Sequence, residues 1–302
     1  MSLQFLADGV IAGAMIGLGA IGVTLTYSIL GFANFAHGDF ISFGAYATLL
    51  IAAAIGAVSG GSVEGLGPFS FGWGIVASGL AAMALTGALA LALDYVLFRR
   101  LREKGAAITT VMASFGASMA LRALLEFLFT SRPAYFSRDL QIAMPIGLGM
   151  RVTPDQIALL GLTALLLTGV QILLTRTQTG RAMRAVSENP TLARVAGVDV
   201  DSVIRTTWLL GGALACASGI MLGLIVQVRP FMGFDLLLPL FAAAILGGIG
   251  SVPGALAGAL VVGISEAAAV QLVGAEWRAA VAFLLLIGVL LIKPTGLFGR
   301  AS

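Results

Sequence analysis

The chain has 302 residues, of which 59% are hydrophobic and 10% charged, with a formal net charge of +3. An ordinary soluble domain carries about 25% charged residues, so this chain lacks the side chains to dress a water-facing surface, and its small positive charge gives no footing for a nucleic-acid partner. A single cysteine, Cys216, excludes a disulfide framework, and with His37 it leaves too few ligands for a zinc site.

A bilayer-spanning helix needs roughly 20 mostly apolar residues, and the hydropathy pattern predicts an all-α polytopic membrane protein. The first apolar run covers about 8–31 and the second about 38–58. No Lys or Arg precedes Arg99, so the first run is expected to span, because a cleavable signal needs a basic n-region. The Gly/Ser-rich stretch Ser59 to Phe71 leads to a third span at 72–97, followed by the basic cluster Arg99, Arg100, Arg102 and Lys104. Spans at 107–129, 155–175 and 203–227 come next, separated by a connection holding Pro133, Pro145 and Pro154 and by the polar segment 176–202. A short apolar run at 235–246 contains Pro239, a break runs from Gly247 to Pro253, and 254–273 and 278–292 complete the set. The expectation is one domain, 1–302, with 8–9 transmembrane helices, depending on whether 235–246 crosses or re-enters. Segments 99–104, 176–205 and 293–300 hold 11 of the 17 Lys and Arg, which puts them and the C-terminus in the cytoplasm and the N-terminus outside.

Three segments interrupt this apolar pattern. Asn34, His37 and Asp39 fall within six residues, flanked by Phe32, Phe35 and Phe40 and by no basic residue. Polar groups at membrane depth tend to face a cavity or the bundle interior, although a plain interfacial loop with Asp39 as the next helix's N-cap fits the same pattern. In the segment 179–198, Asn189 is a candidate N-cap, Pro190 suits the first helical position and Gly197 is a natural C′ residue. The product is two short helices with an apolar stripe and a cationic flank, suited to anionic headgroups or to a groove on a cytoplasmic partner. The glycine-rich segment 246–258 reads as a broken helix of the kind found near transporter substrate sites, or as a short cytoplasmic turn.

Small residues at four-residue spacing (Gly9, Gly13, Gly17, and Gly250, Gly254, Gly258) let helix backbones approach closely, whether in ordinary packing, in dimerisation or in a bundle that slides. Among charges inside spans, Arg122 and Glu126 are four apart and form a candidate self-neutralising pair, and Asp94 is expected to reach the interface. Glu266 stands farther from basic neighbours and is the candidate for a functional role. No Asp/Glu/His relay runs through successive helices, which argues against a proton-driven pump. The sequence contains no Gly-Lys-Ser/Thr triplet, no His-Glu-x-x-His and no Gly-x-Ser-x-Gly, so no nucleotide-binding or hydrolytic motif is expected.

Four stretches in register resemble the branched-chain amino-acid ABC transporter permease family, specifically its shorter, H-type subunit. They are Gly22-Val-Thr-Leu-Thr-Tyr-Ser-Ile-Leu-Gly-Phe-Ala-Asn-Phe-Ala-His-Gly-Asp-Phe40, Thr179-Gly-Arg-Ala-Met-Arg-Ala-Val-Ser-Glu-Asn-Pro190, Leu246-Gly-Gly-Ile-Gly-Ser-Val-Pro-Gly254 and the ending Lys293-Pro-Thr-Gly-Leu-Phe-Gly299. The resemblance implies a non-enzymatic importer subunit of the bacterial inner membrane. It implies a second homologous permease, two cytoplasmic ABC ATPases that bind ATP and Mg, and a periplasmic substrate-binding protein, with no cofactor in this chain. It places Asn34, His37, Gly38 and Asp39 at a helix break near the translocation path, to which Glu266 is added as a candidate. It assigns ATPase coupling to the cytoplasmic segment 176–202, through Arg181, Arg184, Glu188, Asn189, Pro190, Leu192, Arg194 and Gly197. Branched-chain or related small amino acids are the implied substrates; relatives carrying urea, short amides or small organic acids are the alternative, and a self-sufficient carrier or channel is the rival from another class.

Overall fold

A computed structural model describes residues 3–58, 66–104, 107–137, 141–147, 149–293 and 295–298. The linker residues 59–65, Arg138, Pro294, Gly299, Arg300 and the side chain of Lys104 lie outside the described residues. The chain is helical almost throughout. The long helices are α1 (Gln4–Leu30), α2 (Ala36–Val58), α3 (Trp73–Leu93), α5 (Ala107–Phe129), α6 (Pro154–Arg176), α9 (Val200–Ile225), α11 (Val252–Leu272) and α12 (Arg278–Ile292), the last lengthened to 18 residues by a 3₁₀ turn at Ala275–Trp277. Shorter ones are α4 (Arg99–Lys104), α7 (Gln178–Glu188), α8 (Pro190–Val195) and α10 (Met232–Gly247), and a small hairpin pairs β1 (Met144–Gly147) with β2 (Met150–Val152).

Eight of the described helical stretches are long and apolar enough to cross a membrane. Many of their side chains face outward as bare hydrocarbon: Phe127 on α5, Leu165 on α6, Leu284 and Leu291 on α12. Water could not tolerate such a surface, whereas a bilayer requires it, together with backbone hydrogen bonds closed inside each segment.

Two ends can be traced. At one, Gln4 exchanges hydrogen bonds with the Arg151 backbone at 2.9 and 2.8 Å, and Ala134 bridges Val228 at 2.9 and 2.8 Å. At the other, Gly250 N–H donates to Thr24 Oγ1 at 2.8 Å, and the backbone N–H groups of Leu297 and Phe298 donate to the carbonyls of Leu246 and Gly247 at 2.7 and 3.2 Å. Between Val228 and Leu246 the chain passes from the first end to the second, so the 16-residue α10 completes a passage despite its length. Nine helices thus alternate between the ends among the described residues.

Glycine sets the inner packing. α1 runs antiparallel to α11, with Gly9, Gly13 and Gly17 against Ile264, Leu260 and Leu256; a Cβ on Gly9 would stand 2.6 Å from the Ile264 Cα, and one on Gly13 2.9 Å from the Leu260 Cα. The spacing that also suited a dimer face is therefore filled from within the chain. Gly254 and Gly258 likewise meet the backbone of α10, while Gly250 sits in the turn at φ +89°.

A π-helical turn, Asp94–Phe98, carries α3 into α4, and Asp94 is buried in an ion pair with Arg102 at 2.7 Å. The pair meets the requirement that a buried carboxylate be matched by an opposite charge. The same turn presents Phe98 to Trp208, stacked at 5.3 Å.

Candidate functional site

The Asn34–Asp39 segment is helical from Ala36 onward and lies inside the bundle. Asn34 Oδ1 accepts the Ala36 N–H at 3.1 Å, so Asn34 rather than Asp39 caps α2. The level of this helix start follows from its neighbours. Phe35 N–H donates to Ser114 Oγ at 3.1 Å; Ser114 lies seven residues into α5, about 10 Å along its axis. The polar break is therefore recessed, not a loop at the rim.

One turn on, Asp39 is fully buried and ion-paired with Arg122 of α5 at 3.2 Å. Arg122 donates to both carboxylate oxygens, at 3.2 and 3.3 Å, and to Ser118 Oγ at 3.0 Å; Ser118 in turn donates to Asp39. The guanidinium lies 5.1 Å from the Phe231 ring centroid and 4.0 Å from that of Phe234, at the start of α10. This replaces the Arg122–Glu126 pairing expected from spacing: a bidentate, desolvated carboxylate is a stronger partner for Arg than a neighbour on its own helix. Gly38 seats directly on α10, where a Cβ would lie 2.6 Å from the Gly233 carbonyl, and Gly233 N–H donates to Ser42 Oγ at 3.0 Å. His37 packs on α1, so close that a Cβ on Gly22 would stand 2.7 Å from its Cε1. It faces the Gly19 carbonyl, yet no well-formed hydrogen bond closes on either ring nitrogen.

Glu266 is elsewhere. Its Oε2 accepts from Arg278 Nε at 2.6 Å, while its Oε1 is buried without a hydrogen-bond partner. Both residues line a cavity of about 520 Å³ at the Gln4–Arg151 end, with Asp8, Met15, Arg229 and Asp235. The first turns of α10 separate the two places: Gly233 and Leu237 face Gly38, whereas Met232, Asp235 and Leu236 line the cavity. The structure thus gathers Asn34, His37, Gly38 and Asp39 and keeps Glu266 apart. Sequence reading missed Ser118, Phe231 and Phe234; the available signal was an intramembrane Asp39 with no basic residue near it in sequence, beside an intramembrane Arg122 of opposite sign whose neighbour Glu126 offered a competing local partner.

The 176–202 segment projects at the opposite end. Thr177 Oγ1 caps α7 by accepting the Gly180 N–H at 3.0 Å, and Arg184 donates to the Leu174 carbonyl, folding α7 back onto α6. Asn189 Oδ1 accepts from Thr191 and Leu192 N–H at 3.0 and 2.9 Å, Pro190 opens α8, and Gly197 closes it at φ +86°. Met183, Val186 and Ala193 pack with Val200 and Val203. The outer face carries Arg181, Arg184, Glu188, Arg194, and the bare side chains of Leu192 and Val195, 66% and 82% exposed.

The family described as branched-chain amino acid transport system / permease component matches residues 5–290. The chain is 34% identical to the high-affinity branched-chain amino acid transport system permease protein LivH of Escherichia coli (strain K12), over 99% of this chain and 96% of that one. It is 31% identical to the corresponding protein BraD of Pseudomonas aeruginosa, with the same coverage, and 27% identical to the probable permease LivH of Methanocaldococcus jannaschii, over 98% of this chain and 92% of the relative.

Proposed function

Because the chain belongs to the branched-chain amino acid transport system permease family, we propose that it forms one half of the pore of a bacterial inner-membrane ABC importer for branched-chain or related small amino acids. The observation that carries this is the correspondence with LivH along 99% of the chain. A second, homologous permease completes the pore, a periplasmic receptor delivers substrate, and two cytoplasmic ATPases bind ATP and Mg. The Lys/Arg-rich end, with α4, α8 and the C-terminus, faces the cytoplasm.

In this reading α8 is the coupling element. Exposed Leu192 and Val195 beside Arg194 make an apolar contact ringed by charge, and the Asn189 and Gly197 caps keep six residues helical that would otherwise fray. Closure of the ATPases displaces α8, and α7 passes the motion to α6 and α9 through Met183 and Val186. Asn34, His37, Gly38 and Asp39 serve the path as a hinge: through Arg122 and Gly233 they tie α2 to α5 and α10, so these helices shift as rigid bodies. ATP acts by favouring one of two conformations, with no chemistry in this chain.

The test is reconstitution of both permeases, the ATPases and the receptor in proteoliposomes. ATP-dependent uptake of leucine, inhibited by isoleucine and valine and untouched by urea or acetamide, is expected. Uptake of urea or acetamide in place of leucine overturns the substrate, and leucine uptake by this polypeptide alone overturns the ABC reading.

A further inference from the structure

We propose that the cavity beside Glu266 is a transient binding site for the substrate's zwitterionic end, occupied as an amino acid enters from the receptor. The inference rests on the amino-acid import reading and adds to it a location on this chain. The cavity measures about 520 Å³, within the roughly 300–1,000 Å³ of small-molecule sites, and it opens at the end of the bundle assigned to the exterior.

Its chemistry is two-sided. The charged lining consists of Asp8, Asp235, Glu266 and Glu276 against Arg229 and Arg278, an excess of carboxylate that favours an ammonium group. Glu266 provides the specific feature: it is 1% exposed, one oxygen is held by Arg278, and the other has no hydrogen-bond partner. A buried carboxylate oxygen left unmatched is costly, and a primary ammonium supplies the missing donors. Arg229, paired with Asp235 at 2.9 Å, also lines the cavity, is half exposed and has donors left for a carboxylate. Ile11, Met15, Leu222 and Leu236 add an apolar lining suited to a branched aliphatic side chain. The whole lining therefore matches ammonium, carboxylate and hydrocarbon together. A sugar would leave the charges unmatched, and an organic acid would meet the carboxylate excess.

The experiment uses the complete complex in lipid nanodiscs, with labelled L-leucine as probe and no receptor present. Weak, saturable leucine binding is expected. 4-Methylpentanoate, which lacks the ammonium, and 3-methylbutylamine, which lacks the carboxylate, should each compete at least about tenfold less well than unlabelled leucine. Glu266→Gln should weaken leucine binding by about tenfold or more. Because that variant also strands Arg278, Ala12→Phe is the second probe: it puts an aromatic ring into the cavity, leaves every charge in place, and should weaken binding about tenfold or more. Saturable leucine binding that neither substitution weakens, or no saturable binding in an importing complex, overturns the site while the import reading stands. A wild-type complex with receptor that imports no leucine overturns both.

Discussion

Arg122 is the residue on which most of the inner geometry converges. It neutralises Asp39, receives the faces of Phe231 and Phe234, and shares Ser118. Removing one partner of a buried ion pair leaves the other charge stranded, at about 3–5 kcal/mol. Arg122→Met and Asp39→Asn are each expected to lose stability of that order in thermal unfolding in detergent, and the double variant should recover much of it. Equal losses in the double variant, summed from the singles, would show that the two side chains do not interact. The sequence displayed both charges inside apolar runs, but spacing favoured Glu126, because periodicity reports neighbours on one helix and is blind to a partner on another. Asp94 taught the same lesson, since a π turn brought Arg102 onto it. The unmet Oε1 of Glu266 is a fact of three dimensions alone.

At the level of elements, the apolar runs translated into helices within a few residues, because length and hydropathy are what a bilayer selects. The α8 cap was equally legible: Asn-Pro before a short apolar stripe and Gly after it specify both ends locally. What stayed hidden was the depth of the α1–α2 break, set by contacts with Ser114 and Gly233 far away in sequence. Asn189→Ala should cost about 1 kcal/mol of local helix stability, and Arg194→Glu should remove most substrate-stimulated ATPase activity of the reconstituted complex while the permease still assembles. Unchanged stimulation in Arg194→Glu would remove α8 as the coupling element. Gly233→Leu would drive a side chain into the Gly38 carbonyl; sharply reduced monodisperse yield on size-exclusion chromatography is expected, against near-normal yield for Gly116→Leu, where nothing lies within 4 Å.

For the whole molecule, alternation of nine helices makes an orientation test decisive. Cys216 is buried, so the chain is silent to surface labelling before any cysteine is added. Ile146→Cys, on the hairpin, should react with an impermeant maleimide in intact cells, and Leu192→Cys only after lysis. The reverse pattern would invert the protein and dissolve the ATPase contact. Arrangement of the bundle was not readable from hydropathy, which ranks segments but does not pair them; the glycine run on α1 told of a close approach without saying that α11 makes it.

The strap formed by Leu297 and Phe298 carries one more consequence. The last carbonyls of any helix lack partners within it, and here α10 borrows two N–H groups from the distal end of its own polypeptide. Shortening the chain before Gly296 would strip those donors. Deuterium uptake should then rise first at residues 245–251, a flaw seeded at the tail and felt at the bend between α10 and α11.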